Sequence, residues 1–152
     1  MLPCPRGNPA IGPARGCNHS SATGGASITA VGNASLFGDS LVFTTAGERP
    51  TASIIVLQGS AATPGFTSGQ GVRCVGGVLK RLYFKVAVGG SITATTATDP
   101  RVSLRSAALG DPIAAGTSRC YGVYYRDPFV LGGCPATSGF NITNQLAVYG
   151  VP

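Results

Sequence analysis

Apolar and polar residues alternate with a period of two along much of the chain after residue 26, the pattern of strands with one buried face. In residues 39–47, Leu41 and Phe43 fall on one side and Ser40, Val42 and Thr44 on the other. Residues 71–90 alternate most clearly. There Leu82, Phe84, Val86 and Val88 share one face, and Arg81, Tyr83 and Lys85 share the other. In residues 115–127, Arg119, Tyr121, Val123 and Tyr125 lie on one side, with Cys120, Tyr124 and Arg126 opposite.

These patterns predict strands over 26–32, 39–47, 52–59, 71–90, 91–97, 101–109, 115–127 and 140–152. Pro64-Gly65 reads as a turn in a loop over 60–71, and Gly76-Gly77 as a hairpin turn or bulge. Residues 91–97 are a candidate hairpin partner for the strand before them. A helical turn has room near 105–112, where Gly110 would end it. About eight closely spaced strands point to an all-β fold, a β-sandwich or jelly roll. Pro3, Pro5, Pro9 and Pro13 bar regular pairing at the start. The predicted organisation is therefore an N-terminal Pro/Gly-rich arm over 1–26 and a single β-sandwich domain over 27–152.

Composition agrees with strands and turns. The chain of 152 residues has 23 glycines, 11 prolines and a single glutamate, and 11% of it is charged. A charged fraction near 25% is usual. The net charge of +6 comes mostly from scattered arginines, with no basic run and no aromatic stacking platform. That argues against a nucleic-acid partner. No apolar run reaches membrane-spanning length, so no membrane span is expected. The opening "MLPCPRGNP" lacks the apolar core of a signal peptide. If the protein is exported, the signal lies outside this sequence or Met1 is not the true start.

Five cysteines occur: Cys4, Cys17, Cys74, Cys120 and Cys134. None form a CxxC pair and His19 is the only histidine, so neither a metal site nor a cofactor is expected. Dispersed cysteines in a low-charge chain suit an oxidising, extracellular setting, with two disulfides and one thiol left over. A Cys4–Cys17 bond would order the Gly/Pro loop between them.

Catalytic candidates are few. The acids are Asp39, Glu48, Asp99, Asp111 and Asp127, and the last three each precede a proline, a turn-forming dipeptide. His19 sits in the arm between a sequon asparagine and a serine, a poor place for a preorganised base. No catalytic residue is assigned. Asn18, Asn33 and Asn141 head N-x-S/T sequons and are glycosylation candidates. Tyr83, Tyr121, Tyr124 and Tyr125 are candidates for stacking on sugars, an alternative to ordinary strand packing.

The blocks "GQGVRCVGGVLKRLYFKVAVGG", "DPRVSLRSAALGDPIAAGTSRCYGVYYRDP" and "CPATSGFNITNQLAV", with "PCPRGN" and "GCNHS" before them, carry a resemblance. The chain resembles a recurrent, uncharacterised β-rich, disulfide-containing domain of exported proteins from environmental bacteria. Its members commonly begin with a Cys-Pro-Cys-Gly-Asn-like segment, and Arg6 stands here where a second cysteine often sits. The resemblance implies an exported domain and brings no catalytic residues. Its layout implies a Cys74–Cys134 bond, which leaves Cys4 with Cys17. Cys120 stands where members usually have another residue. It is either a buried, inert thiol or an intersubunit one.

The expected function is a non-enzymatic structural subunit of an extracellular filament or surface assembly. In that view the chain polymerises with itself through the arm and the final strand 144–152. The alternative is a cell-surface glycan-binding module that uses an aromatic sheet face.

Overall fold

The strands along the chain are β1 (Ser27–Val31), β2 (Val42–Ala46), β3 (Ser53–Ser68), β4 (Gly71–Val86), β5 (Thr93–Ala94), β6 (Ser118–Arg126), β7 (Phe140–Ile142) and β8 (Leu146–Tyr149). One helix, α1 (Val102–Ala108), lies between β5 and β6. They come from a computed structural model that describes residues 2–35, 37–133 and 139–150. All pairings are antiparallel. A small sheet runs in the order β1-β2-β5. A larger one runs β4-β3-β6, with β7 and β8 both pairing along the far side of β6.

The predicted sandwich is the observed fold, and its core lies between the two sheets. Ile28, Phe43 and Ala94 of the small sheet meet Ile54, Val56, Tyr121, Val123 and Tyr125 of the large one. The rings of Phe43 and Tyr121 are 4.7 Å apart. The alternation in β6 predicts its faces correctly. Tyr121, Val123 and Tyr125 point into this core, while Cys120 and Tyr124 pack with a second, outer cluster around Leu57 and Val75.

In β4 the alternation misleads. Val56 pairs with Tyr83 but Leu57 pairs with Arg81, so Leu82 is an extra residue in the ladder. Such a bulge places two successive residues toward the same side. Leu82 and Tyr83 are both buried in the core, and Phe84, Val86 and Val88 are turned outward and exposed. The apolar face predicted over residues 82–88 is thus split, with Leu82 in the core and Phe84, Val86 and Val88 on the outer face of the sandwich.

Three other local expectations are corrected, and one open alternative is decided. Pro64-Gly65 lies within β3, and the chain reverses at Gly69–Gln70. Gly76-Gly77 lies inside β4 beside a register shift between Gly59 and Ala61, so it is a bulge rather than a turn. Residues 91–97 yield only the two-residue β5, which pairs with β2 in the small sheet. The strand expected over 101–109 is α1. Val102 and Ser106, four apart, are its buried positions, which suits a helix, whereas Leu104 is exposed. Asp39 Oδ2 accepts the Ser103 N–H at 2.7 Å, and Gly110, at φ 80°, ends the helix.

Side chains bond to backbone at two strand edges. Asn144 bonds both backbone groups of Ile28 on the outer side of β1. Its Oδ1 accepts the N–H at 2.8 Å and its Nδ2 donates to the carbonyl at 3.3 Å. On β4, Arg105 Nε donates to the Leu82 carbonyl at 2.8 Å, and the Tyr83 hydroxyl donates to the Pro100 carbonyl at 2.8 Å.

The arm is stitched to the sandwich. Cys4 and Cys17 form a disulfide. Asn8 Nδ2 donates to the carbonyls of Asn18 and Gln70, and Asn141 Nδ2 donates to those of Cys17 and Asn18. The Gly16 N–H donates to the Ala26 carbonyl at 2.8 Å.

Candidate functional site

Three register shifts along β3 and β4, at Val56/Leu57, Gly59/Ala61 and Ala62/Phe66, bend the long hairpin. Bulges increase local twist and kink a strand. The hairpin therefore folds back over the outer face of β6 and β7. Its tip is held there by Gln70. The Gln70 N–H donates to the Phe140 carbonyl at 2.9 Å, and its Nε2 donates to Asp127 and to the Phe129 carbonyl. The approach is close at Gly71, where a Cβ would lie 2.4 Å from Asn141 Oδ1. Leu57, Val75 and Cys120 fill the space under the fold.

A groove of about 870 Å3 remains open on that outer face. Its floor is the cross-strand row Phe84, Ile55 and Tyr124, fixed by the pairings Ile55–Phe84 and Ile55–Tyr124. Val86 and Phe140 extend it, and Phe140 packs edge-on against Tyr124 at 5.1 Å. A second groove of about 600 Å3 shares Arg73, Arg81, Phe84 and Tyr124 with the first and continues toward Leu79 and Leu109.

Cations line the first groove and carboxylates do not: Arg73, Arg81, Lys85 and Arg126 contribute to it. Lys85 is neutralised by Asp99 at 2.6 Å. Arg73, Arg81 and Arg126 have no ion pair among the described residues. Arg73 is held in place. Its Nη1 donates to the Tyr124 hydroxyl at 2.9 Å, and its guanidinium lies 4.1 Å from the centre of the Phe66 ring. Its Nε is buried and has no hydrogen-bond partner among the described residues.

The tyrosines singled out from the sequence separate on this geometry. Tyr83, Tyr121 and Tyr125 are buried between the sheets, so no ring face is offered to a sugar. Burial raises all three hydroxyl pKa values above the ordinary 10. Tyr124 is half-buried and does line the groove, with its hydroxyl bonded to Ser68 and Arg73. Phe84, Ile55, Arg73 and Arg81 carried no functional signal in the sequence. Periodicity grouped Phe84 with Leu82, and only the bulge at Leu82 turns the two to opposite sides.

The sequons separate too. Asn33 is exposed and Asn18 half-buried, whereas Asn141 is fully buried and both donates and accepts hydrogen bonds. Glycosylation at Asn141 is incompatible with that packing. Cys120 is buried, bonds no described cysteine and is raised in pKa by burial. Cys74 is half-buried and bonds no described cysteine. Cys134, its expected partner, lies outside the described residues.

Most titratable groups act as struts. Asp39 accepts the backbone N–H groups of Leu41 and Ser103. Asp111 is held below the usual carboxylate range by Arg119, whose Nη2 donates to it at 2.8 Å. Asp127 is buried and accepts from Ser20 and Gln70, with Arg49 3.7 Å away. His19 lies next to Ser20 in sequence but is turned away from Asp127. Its Nε2 donates to the Gly47 carbonyl at 2.5 Å, and its Nδ1 accepts the Ser21 N–H. Glu48 differs. It is buried, and neither carboxylate oxygen has a hydrogen bond of normal geometry among the described residues. Burial raises its pKa to about 7, and Thr45 nearby offsets this only in part.

Among the described residues, no three His, Cys, Asp or Glu side chains gather as a metal site. No helix there is long and apolar enough to cross a membrane. No protein-family model, curated protein or solved structure matches this chain.

Proposed function

We propose that the protein is a non-enzymatic, exported interaction domain whose working surface is the groove on the outer face of the large sheet. One observation carries this reading: an apolar concavity of about 870 Å3, floored by strand residues on a rigid sheet. Small-molecule sites commonly have volumes of about 300–1,000 Å3, with mostly apolar walls and a few placed polar groups. The non-catalytic part is supported by the strut roles of His19, Asp39, Asp111 and Asp127. The extracellular part is supported by the Cys4–Cys17 disulfide and by the resemblance to exported domains.

The test is titration with Nile red, a neutral apolar dye. Saturable binding near one per chain, abolished by Phe84→Ser, is expected. Phe84 is 64% exposed, so the fold tolerates its loss. Non-saturating binding, or binding indifferent to Phe84→Ser, would remove the groove as the working surface.

A second reading, a structural subunit of an extracellular filament or surface assembly, is favoured by a different observation. The exposed apolar row runs past the groove floor to Val88, which is 83% exposed. The arm and β8, by contrast, bond within their own chain. Assembly would then use the outer face rather than terminal exchange. Light scattering against concentration and electron microscopy of the wild type and Val88→Ser distinguish this reading. A wild type that stays monomeric at high concentration sinks it.

A further inference from the structure

We propose that the ligand of the outer-face groove is an amphiphilic carboxylate, an aliphatic chain ending in a carboxylate, with Arg73 and Arg81 seating the anionic head. This inference rests on the reading of the groove as a binding surface.

Four cations line the groove and no carboxylate does, although the groove walls are largely apolar. Lys85 already has Asp99, which leaves Arg73, Arg81 and Arg126 without ion pairs among the described residues. An apolar cavity that carries uncompensated cations matches a ligand with an apolar body and a negative head.

Arg73 and Arg81 belong both to this groove and to the adjoining one, so they flank the place where the two meet. Arg73 is preorganised by Tyr124 and Phe66, and its Nη2 makes no hydrogen bond among the described residues. A planar guanidinium with a free N–H edge suits a carboxylate. A chain attached to that head would lie along Phe84, Ile55 and Val86.

A second copy of this protein is a poor source of the head. Its five acidic side chains are Asp39, Glu48, Asp99, Asp111 and Asp127. Asp39, Glu48 and Asp127 are buried, Asp99 is paired with Lys85, and Asp111 with Arg119. None is free to enter a neighbour's groove.

The experiment compares decanoate, decan-1-ol and decyltrimethylammonium by calorimetry, with amide chemical shifts to place them. Decanoate is expected to bind one per chain, shift the amides of β3, β4 and β6 around Ile55, Phe84 and Tyr124, and bind about tenfold or more tightly than the alcohol. The cationic amphiphile should bind more weakly still. Arg73→Gln with Arg81→Gln should bring decanoate to the level of decan-1-ol. If the double variant fails to fold, Arg81→Gln alone serves, because Arg81 is exposed on the surface.

Equal binding of decanoate and decan-1-ol by the wild type, or decanoate binding unchanged in the arginine variants, would overturn the carboxylate seat and leave the groove reading intact. Failure of all three probes would overturn both. Concentration-dependent broadening of the groove amides without any probe would assign the groove to a second copy and overturn the inference.

Discussion

The side chain of Asn144 pairs with the backbone of Ile28 as a neighbouring strand would, accepting its N–H and donating to its carbonyl. The first strand of the small sheet therefore ends in an amide plug rather than an open ladder. Replacing Asn144 by Ala leaves both groups of Ile28 without their partner. An unpaired buried backbone group costs about 1–3 kcal/mol. Chemical denaturation of Asn144→Ala should show a loss of that order. Asn144→Asp, which keeps the acceptor but cannot donate, should lose at least part of it at neutral pH. Wild-type stability in Asn144→Ala would show the plug to be dispensable.

Glu48 makes stability depend on pH. Its carboxyl is raised from 4.5 to about 7 by burial. The folded protein therefore holds a proton that the unfolded chain has released between those values. Stability from this group is fully present below pH 4.5 and falls as pH rises to about 7. The total is about 3 kcal/mol at roughly 1.4 kcal/mol per unit. Glu48→Gln should flatten that slope in urea melts taken at pH 5 and pH 8. An unchanged slope would exclude Glu48 as its source.

Opening the Cys4–Cys17 bond should release the arm more than the sandwich. The two cysteines are 13 positions apart. A bridge of that span contributes about 2–4 kcal/mol. Cys4→Ser with Cys17→Ser should raise amide exchange over residues 5–16 and leave Val56 and Val123 protected. Uniform loss of protection would mean that the arm and sandwich unfold as one unit.

The sequons give a prediction for modification. Secreted from a eukaryotic host, the protein should carry sugar at Asn33, which is exposed, and none at Asn141, which is buried. Peptide mass spectrometry reads this directly. Sugar on Asn141 of folded protein would contradict its burial.

The strand class, the sandwich and the two faces of β6 were legible because a period of two persists through Tyr121, Val123 and Tyr125. The groove was not legible, for a specific reason. One extra residue at Leu82 inverts the sides of everything after it, and no local pattern announces that residue. Helix α1 was hidden because Val102 and Leu104 fit alternation as well as Val102 and Ser106 fit a helix. The role of Asp127 was hidden by distance, since its partner Ser20 lies 107 positions away. A proline after an aspartate reports a turn, not what the carboxylate will meet.

The bonds that tie Asn8 to Gln70, and Asn141 to Cys17 and Asn18, span 62 to 124 positions of chain. During synthesis the arm emerges before the sandwich, yet its anchor at the hairpin tip follows some sixty residues later and its anchor on β7 only after most of the sandwich has been made. Contacts of such long range form late. The arm is thus made before the sandwich but fastened after it. Because they close over Gln70, their docking latches the hairpin whose fold creates the groove.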